Sequence, residues 1–220
     1  VGSATLLDPQ TGHYTTELPI APEMLGEPKV LTGAENALRG FNSSVGTVSY
    51  SWSEITKGGS LTVGGGDHDL NFQRFHNAIT GAYGESKDWT WGAEIESSRS
   101  ESDGTIPFAD HSFHRTSGRI QFQGPDSQTD LFAGYQDKFY GLPGMYTANL
   151  DRKETEDYQT QLYLFNHTQK YAHDSFWQTS VFHRINTDHY ILKREVPLWV
   201  GGADPQYSAY HETEISGIAF

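Results

Sequence analysis

The sequence predicts an all-β protein: part of an antiparallel, up-and-down transmembrane β-barrel, preceded by a segment of different texture. Three observations predict this class. Side chains alternate between apolar and polar along many segments, short and long connections alternate between those segments, and aromatic residues recur at the segment ends. In a transmembrane barrel these features correspond to lipid-facing and lumen-facing residues, to short turns and long loops, and to interfacial aromatic girdles.

The composition agrees with extended structure. Apolar residues make up 35% of the 220 residues, whereas Gly (23), Tyr (12), Phe (12) and Trp (5) are plentiful. Aromatic side chains suit a pleated surface and argue against disorder. The net charge of −13 opposes contact with phosphate backbones, so no nucleic-acid partner is expected. No run approaches ~18 consecutive apolar residues, so no membrane-spanning helix is predicted, but a membrane strand needs only about ten alternating residues.

The first 45 or so residues differ from the rest of the chain. Pro9, Pro19, Pro22 and Pro28 fix φ at short intervals, so long helices and central strands are not expected there. From about Val45 onward the alternation begins, and we predict one antiparallel meander of long strands in which sequence neighbours pair. The prediction therefore divides the chain into residues 1–50 and residues 51–220, the second region holding roughly eight to ten strands.

The period-two alternation also predicts which way the side chains point. Trp91 and Ile95 fall on one face of a strand and Glu94 on the other, because successive side chains of a strand point to opposite faces. In a membrane barrel the apolar face meets lipid and the polar face meets the lumen. The residues expected to face lipid are Trp91, Ile95, Ile120, Phe122 and Val181; those expected to face the lumen are Glu94, Glu96, Gln121, Gln178, Glu212 and Glu214.

The connections alternate in length along the chain. Short turns rich in Gly, Pro, Asp and Ser lie at 85–88, 124–127 and 171–174, and longer segments lie at 100–111, 140–152 and 187–208. A soluble β-sandwich also has one apolar and one polar face, but it has less reason to place all its long loops at one end. The pattern favours a membrane barrel and leaves the sandwich as an alternative.

No catalytic or metal-binding motif stands out. The histidines at 111 and 114 flank a loop and could meet there, and Asp67-His68-Asp69 is a second candidate, but no four-ligand spacing emerges. The calcium-loop spacing is absent, Gly-x-Ser-x-Gly does not occur, and no nucleophile is paired with a base. We therefore expect no enzyme activity, no metal and no cofactor.

Residues 31–50 carry a more specific signal. The run LTGAENALRG (31–40), followed by NSSVGTVSY (42–50), resembles the segment in which the plug domain of TonB-dependent outer-membrane receptors ends and the barrel begins. In that family two glycines separated by six residues precede a strand of small and β-branched residues. The matching positions are Gly33, Arg39, Gly40 and Gly46, where the glycines would supply positive φ or close backbone approach. Segments 128–141 and 154–157 look like barrel-wall stretches of such receptors.

The resemblance implies a fragment of a receptor in the bacterial outer membrane. Residues 1–50 would be the C-terminal part of the plug, and residues 51–220 the first strands of a barrel that has about 22 in this family. The implied function is active uptake of a scarce small molecule, such as a ferric siderophore, cobalamin or a glycan, energised by a TonB-type protein of the inner membrane. The partners would be this protein, the ligand and outer-membrane lipid.

Two site predictions follow from the resemblance. Plug apices and long loops would hold the ligand, and the loop candidates are Asp103, Tyr140, Tyr146 and Trp199. Arg39 would either pair with a lumen-facing carboxylate or be solvated in a wet lumen. The alternatives to a TonB-dependent receptor are a passive porin-type barrel, which would lack the plug motif, and a soluble carbohydrate-binding β-sandwich.

Overall fold

The computed structural model describes residues 1–6, 18–37, 46–85, 88–146, 152–172, 175–195 and 207–220. The N-terminal part holds a 3-10 helix (Pro22–Met24), β1 (Lys29–Leu31), α1 (Gly33–Ala37) and β2 (Thr47–Ser49). Eight longer strands follow: β3 (Gly58–Gly65), β4 (Asn71–Tyr83), β5 (Trp89–Ser102), β6 (His111–Gln123), β7 (Ser127–Gly141), β8 (Thr155–Ala172), β9 (Ser175–Ile191) and β10 (Ser208–Ala219).

These eight strands form one antiparallel sheet in the order β10-β9-β8-β7-β6-β5-β4-β3. The predicted all-β class and the pairing of sequence neighbours are therefore confirmed. The meander begins at β3 and not near Val45, because β2 pairs with β1 in a separate two-stranded sheet. None of the helices in the described part of the chain has the length and apolar character needed to cross a membrane.

The connections of the sheet sort by length, as predicted. Because each strand reverses direction, the turns β4–β5, β6–β7 and β8–β9 lie at one end of the sheet, which we call the short-turn end. The connections β5–β6, β7–β8 and β9–β10 are longer and lie at the opposite, long-loop end, together with the tight β3–β4 turn. This arrangement gathers the predicted ligand loops at a single end of the sheet.

The burial of side chains on the two faces of the sheet is the reverse of that in a soluble protein. Polar side chains are covered on one face, and apolar side chains are exposed on the other. Arg119 is 2% exposed, whereas its sequence neighbour Ile120 is 43% exposed. The five residues predicted to point outward share the face of Ile120, and Glu94, Glu96, Gln121 and Gln178 share the face of Arg119. We call these the apolar face and the polar face, and the predicted division between them is confirmed for these residues.

The assignment of Glu212 and Glu214 to the polar face is wrong. They pair with Thr187 and Ile185 of β9, and both point to the apolar side of the sheet. The residue opposite Arg184 is Ile215, so this apolar residue of β10 lies on the polar face, whereas Ile218 lies opposite Val181 on the apolar face. A shift of one residue moves every side chain of a strand to the other face. Because the alternation breaks down at the end of β10, the sequence of this strand does not show which of its residues lie on which face.

The N-terminal unit, defined here as residues 1–6, 18–37 and 46–57, packs on the polar face. The buried apolar cluster joins residues of both parts: Ala4, Ile20, Ala21, Met24 and Trp52 from the unit, and Phe132, Leu162 and Leu164 from the sheet. The rings of Trp52 and Phe132 lie 5.4 Å apart. The hydrophobic core is thus the interface between the N-terminal unit and the polar face.

Candidate functional site

Strands β4, β5, β6 and β7 bring a set of charged and polar side chains together on the polar face. We call this set the interior network; it consists of Arg74, His76, Glu94, Glu96, Arg115, Arg119, Gln121 and Asp130, with Glu23 and Ser53 of the N-terminal unit. Alternate residues of neighbouring strands share a face, so the period of two places acids of β5 between the bases of β4 and β6.

One half of the interior network surrounds Arg119, whose side chain is fully buried. Its Nε donates to Glu94 Oε1 at 2.6 Å, and its Nη1 donates to Asp130 Oδ1 at 3.2 Å. Gln121 Nε2 donates to the same Asp130 oxygen at 2.9 Å. A guanidinium out of water is costly unless it is paired in this way, so removing it would leave two buried carboxylates behind.

The other half surrounds Glu96, whose side chain is also fully buried. Arg115 donates to both of its oxygens, from Nη2 at 2.7 Å and from Nε at 3.1 Å, and this fork geometry is the strongest arrangement for an arginine and a carboxylate. Arg74 Nε donates to Glu96 Oε1 at 3.1 Å. One carboxylate therefore bridges arginines from two different strands.

The interior network also holds the N-terminal unit against the sheet. Arg74 forms an ion pair with Glu23. The backbone carbonyl of Ser53 accepts hydrogen bonds from Arg119 Nη1 at 2.9 Å and from Gln121 Nε2 at 3.0 Å. Gln121 in turn accepts one from the Ile55 amide at 3.1 Å. The side chains of Arg119 and Gln121 thus satisfy backbone groups of the unit that would otherwise be buried without partners.

The pairing predicted for Arg39 falls outside the described residues, as does Gly40. The structure does contain an ion pair between the N-terminal unit and the sheet, but the charges are exchanged. The acid, Glu23, belongs to the unit, and the arginine, Arg74, belongs to the sheet. Sequence reasoning missed Arg74 and Arg115. The available signal was that both lie in phase with the polar positions of their strands, where a lone arginine needs an acid on the next strand.

The two described glycines of the plug-like motif behave as the sequence predicts. Gly33 begins α1 with φ of 60°, a conformation that costs other residues about 1–2 kcal/mol. Gly46 precedes β2, and a Cβ there would lie 3.3 Å from the carbonyl oxygen of Leu31. The first supplies the turn and the second the close approach that lets β2 pair with β1.

The three predicted ligand residues that the structure describes lie at the long-loop end but do not form one group. Tyr140 sits directly opposite Glu156 in the β7–β8 pairing, and Tyr146 Oη donates to Glu156 Oε2 at 3.2 Å. Asp103 is elsewhere in the loops, where its amide donates to the carbonyl of His68 at 2.8 Å. Trp199 lies outside the described residues.

Three tyrosines and two glutamates lie together at the long-loop end. We call them the loop-end cluster; its members are Tyr146, Glu154, Glu156, Tyr190 and Tyr207. The Tyr146 amide donates to Glu154 Oε2 at 3.0 Å. The rings of Tyr146 and Tyr190 lie edge to face at 5.5 Å, and Tyr207 lies 6.3 Å from Tyr190. Both carboxylates are buried, whereas Tyr146 and Tyr207 are exposed. Sequence reasoning found Tyr146 but missed both acids.

A second contact ties the long loops to one another around Phe108. The Lys153 ammonium lies 4.1 Å from the centre of the Phe108 ring, and the Arg194 guanidinium lies 5.0 Å from it. Arg194 also pairs with Asp110 at 2.7 Å, and Lys153 pairs with Glu195. Loops that follow β5, β7 and β9 are therefore joined by cation–π contacts and ion pairs.

Neither metal candidate is assembled. His111 and His114 cannot meet, because they are three residues apart in β6 and so point to opposite faces; His111 opposes Ser102, and His114 opposes Arg99. Within the ranges that the structure describes, no group of three or more His, Asp or Glu side chains is arranged to hold a metal ion.

The chain matches no protein-family model, no curated protein and no solved structure. The features that bear on function are the two faces of the sheet and the two clusters. The interior network can hold the N-terminal unit in place, and the loop-end cluster presents aromatic rings and carboxylates at the end where the long loops gather.

Proposed function

We propose that this chain is the plug-exit and early-strand region of a TonB-dependent receptor of the bacterial outer membrane, which takes up a scarce small molecule. The eight strands form part of the barrel wall, and the N-terminal unit is the C-terminal part of the plug that occupies the lumen. A TonB-type protein of the inner membrane supplies the energy. The observation that carries the proposal is the reversed burial of the sheet, with paired charges covered on one face and apolar side chains bare on the other.

The bare face carries a continuous apolar row. Each member lies directly opposite the next: Ile79, Ala93, Ile120, Leu131, Phe165, Val181 and Ile218. A shallow depression of about 1180 Å³ follows this row from β4 to β10. Apolar surface gains roughly 25 cal/mol per Å² on leaving water, so a row of this extent calls for a non-aqueous neighbour. Lipid is that neighbour in an outer-membrane barrel wall.

Aromatic residues border the row at the short-turn end. Tyr83, Trp89 and Trp177 all lie on the apolar face and are exposed. The rings of Tyr83 and Trp89 lie 5.9 Å apart. Amphipathic rings are favoured where hydrocarbon gives way to head groups, so this group supports a membrane boundary at that level.

The covered polar face separates this proposal from its two alternatives. A passive porin keeps its lumen open to water, whereas here the side chains of Glu96 and Arg119 are sealed beneath the N-terminal unit. A soluble carbohydrate-binding sandwich would bury the apolar face under a second sheet. The exposure of Ile120, Leu131 and Val181 speaks against such a covering sheet within the described ranges.

The test places one arginine at two positions of the apolar face. Ala93→Arg puts a charge in the apolar row, and Gln159→Arg puts it near the long-loop end beside Asp137. Folding into lipid vesicles should be weakened by about 2–4 kcal/mol at position 93 and by about 0–1 kcal/mol at position 159. Equal effects at both positions, or a chain that stays monomeric and folded in buffer without lipid or detergent, would contradict membrane insertion.

The energised part of the proposal has its own measurement. Cells that carry the complete receptor should accumulate ligand only while the inner membrane holds a proton gradient. Uptake that continues at an unchanged rate after the gradient is collapsed would point instead to passive diffusion.

A further inference from the structure

We propose that the loop-end cluster binds a primary alkylammonium group, so that the ligand of this receptor carries an amine. The inference rests on the proposed function, because it names the chemistry of the molecule that the long-loop end would capture. Three observations lead to it: two buried acids without a basic partner, one carboxylate oxygen without a hydrogen-bond donor, and tyrosine rings arranged beside them.

The first observation is a local excess of negative charge. Glu154 and Glu156 are both buried, and no lysine or arginine pairs with either of them within the described part of the chain. Two neighbouring cations are engaged elsewhere, since Lys153 pairs with Glu195 and Arg194 pairs with Asp110. Buried carboxylates are stable as ions only when a positive charge is near, so the cluster favours a cation and repels an anion.

The second observation concerns the free oxygen of Glu154. Its Oε2 accepts the amide of Tyr146 at 3.0 Å, and the Tyr190 side chain also hydrogen-bonds to this carboxylate, whereas the buried Oε1 has no partner of good hydrogen-bond geometry among the described residues. Leaving a charged acceptor buried and unsatisfied costs free energy that a donor would recover. The donor must therefore carry an N–H or O–H, and a primary ammonium provides three N–H groups with the required charge.

The third observation is the arrangement of the tyrosines. Tyr146 and Tyr190 meet edge to face at an interplanar angle of 88°, so their faces point in different directions. Tyr146 and Tyr207 are also exposed, which leaves ring surface for a ligand. Aromatic faces attract cations and also accept apolar stems. An ammonium on an alkyl chain satisfies both the rings and the carboxylate.

The experiment measures binding of butylammonium chloride to the 220-residue chain folded in detergent micelles, by calorimetry. The comparison probes are tetramethylammonium, which has the charge but no N–H, and butanol, which has the same alkyl chain but no charge. We expect saturable binding of butylammonium, at least tenfold weaker binding of tetramethylammonium, and no saturable binding of butanol. Equal binding of butylammonium and butanol would overturn the proposal.

The variants assign the binding to the cluster. Glu154→Gln should weaken butylammonium binding at least tenfold, and Tyr207→Ala should weaken it about threefold to tenfold. Glu101→Gln is the matched control, because Glu101 pairs with Arg99 at 2.5 Å outside the cluster, and it should bind as the unaltered chain does. Each variant must keep the unfolding midpoint of the unaltered chain. If Glu154→Gln fails to fold, Tyr207→Ala decides, since its ring lies at the surface.

Failure of this inference can be told apart from failure of the proposed function. If butylammonium does not bind while the contrast between Ala93→Arg and Gln159→Arg holds, the ligand class is wrong and the membrane receptor stands. If Glu154→Gln and the unaltered chain bind butylammonium equally, the cluster is not the site, and the inference is overturned.

Discussion

On strand β7, Leu131 and Phe132 are neighbours in sequence, yet Leu131 is 43% exposed and Phe132 is 5% exposed. Leu131 belongs to the apolar row, whereas Phe132 contacts Trp52 beneath the N-terminal unit. The same chemical class of side chain therefore sits in two different surroundings, one residue apart. The alternation recurs along β5, β6, β7 and β9, where buried residues on the polar face are interleaved with exposed or half-buried residues on the apolar face, whereas β3 and β10 have no buried residue on either face.

The two faces derive their stability from different sources. The polar face is held by contacts within the chain: paired charges, hydrogen bonds to Ser53 and Ile55, and a small apolar core. On the apolar face Ile120, Leu131 and Val181 are exposed, so the stability of that face depends on its surroundings. Substitutions on the polar face should therefore change the free energy of unfolding in any medium, and substitutions on the apolar face should act mainly through lipid.

The largest effect is expected for Arg119→Met. Removing the guanidinium leaves Glu94 and Asp130 buried without their shared cation, and the carbonyl of Ser53 loses a donor. Breaking a buried pair in this way costs about 3–5 kcal/mol, and two carboxylates place this site at the upper end of that range. The measurement is the free energy of unfolding in denaturant, with the chain folded in detergent micelles.

Arg99→Met is the matched control for Arg119→Met. The Arg99 side chain is 53% exposed and pairs with Glu101 near the long-loop end, so its loss should cost about 1 kcal/mol or less. If the two substitutions lower the free energy of unfolding equally, the buried interior network stabilises the protein no more than an exposed ion pair does. That result would contradict the difference proposed between the two faces.

A second, slightly smaller difference is expected between Phe132→Ala and Leu131→Ala. Truncating Phe132 opens a cavity against Trp52 and should cost about 3–5 kcal/mol. Truncating Leu131 leaves a groove that lipid or detergent tails can fill, so we expect about 1 kcal/mol or less there. The same unfolding measurement applies. A greater loss for Leu131→Ala would mean that a protein surface covers the apolar face, as in a sandwich.

Much of the fold follows from the sequence because strand periodicity and turn chemistry are local. The alternation within one short segment predicts the faces of Trp91, Ile95 and Glu94, and Gly and Pro predict the turn at 124–127. The sequence does not predict which face of β10 joins the polar face of the sheet, because apolar residues occur on both faces of this strand. Only its pairing with β9 decides this. Local signals are therefore sufficient where one face is cleanly apolar.

The site was less predictable because its partners come from distant segments. Glu23 and Arg74 are 51 residues apart, and nothing in either segment alone indicates that they pair. The aromatic and acidic composition of the long loops indicated Tyr140 and Tyr146, but Glu154 became a candidate only through its burial and its free oxygen. Burial and register are properties of the assembled sheet, so the sequence could indicate the end of the sheet and not the cluster.

The smallest expected effect is the coupling between Glu23 and Arg74, which joins the N-terminal unit to the sheet. Their side chains are 29% and 31% exposed, so water screens the pair and its coupling should be about 1 kcal/mol or less. A double-mutant cycle of Glu23→Gln and Arg74→Met measures this term, because it subtracts the effects of the separate substitutions. The free energy of unfolding in micelles is again the quantity to measure.

The informative part of this last experiment is what the substitutions leave unchanged. Glu96 keeps both hydrogen bonds from Arg115 when Arg74 is replaced, and the apolar row is not touched. Folding into vesicles should therefore proceed as in the unaltered chain, while proteolysis within the N-terminal unit becomes faster because the unit is held by fewer contacts. Slower insertion with unchanged proteolysis would show the reverse dependence: Arg74 would then serve the sheet itself, and Glu23 would have no part in holding the unit.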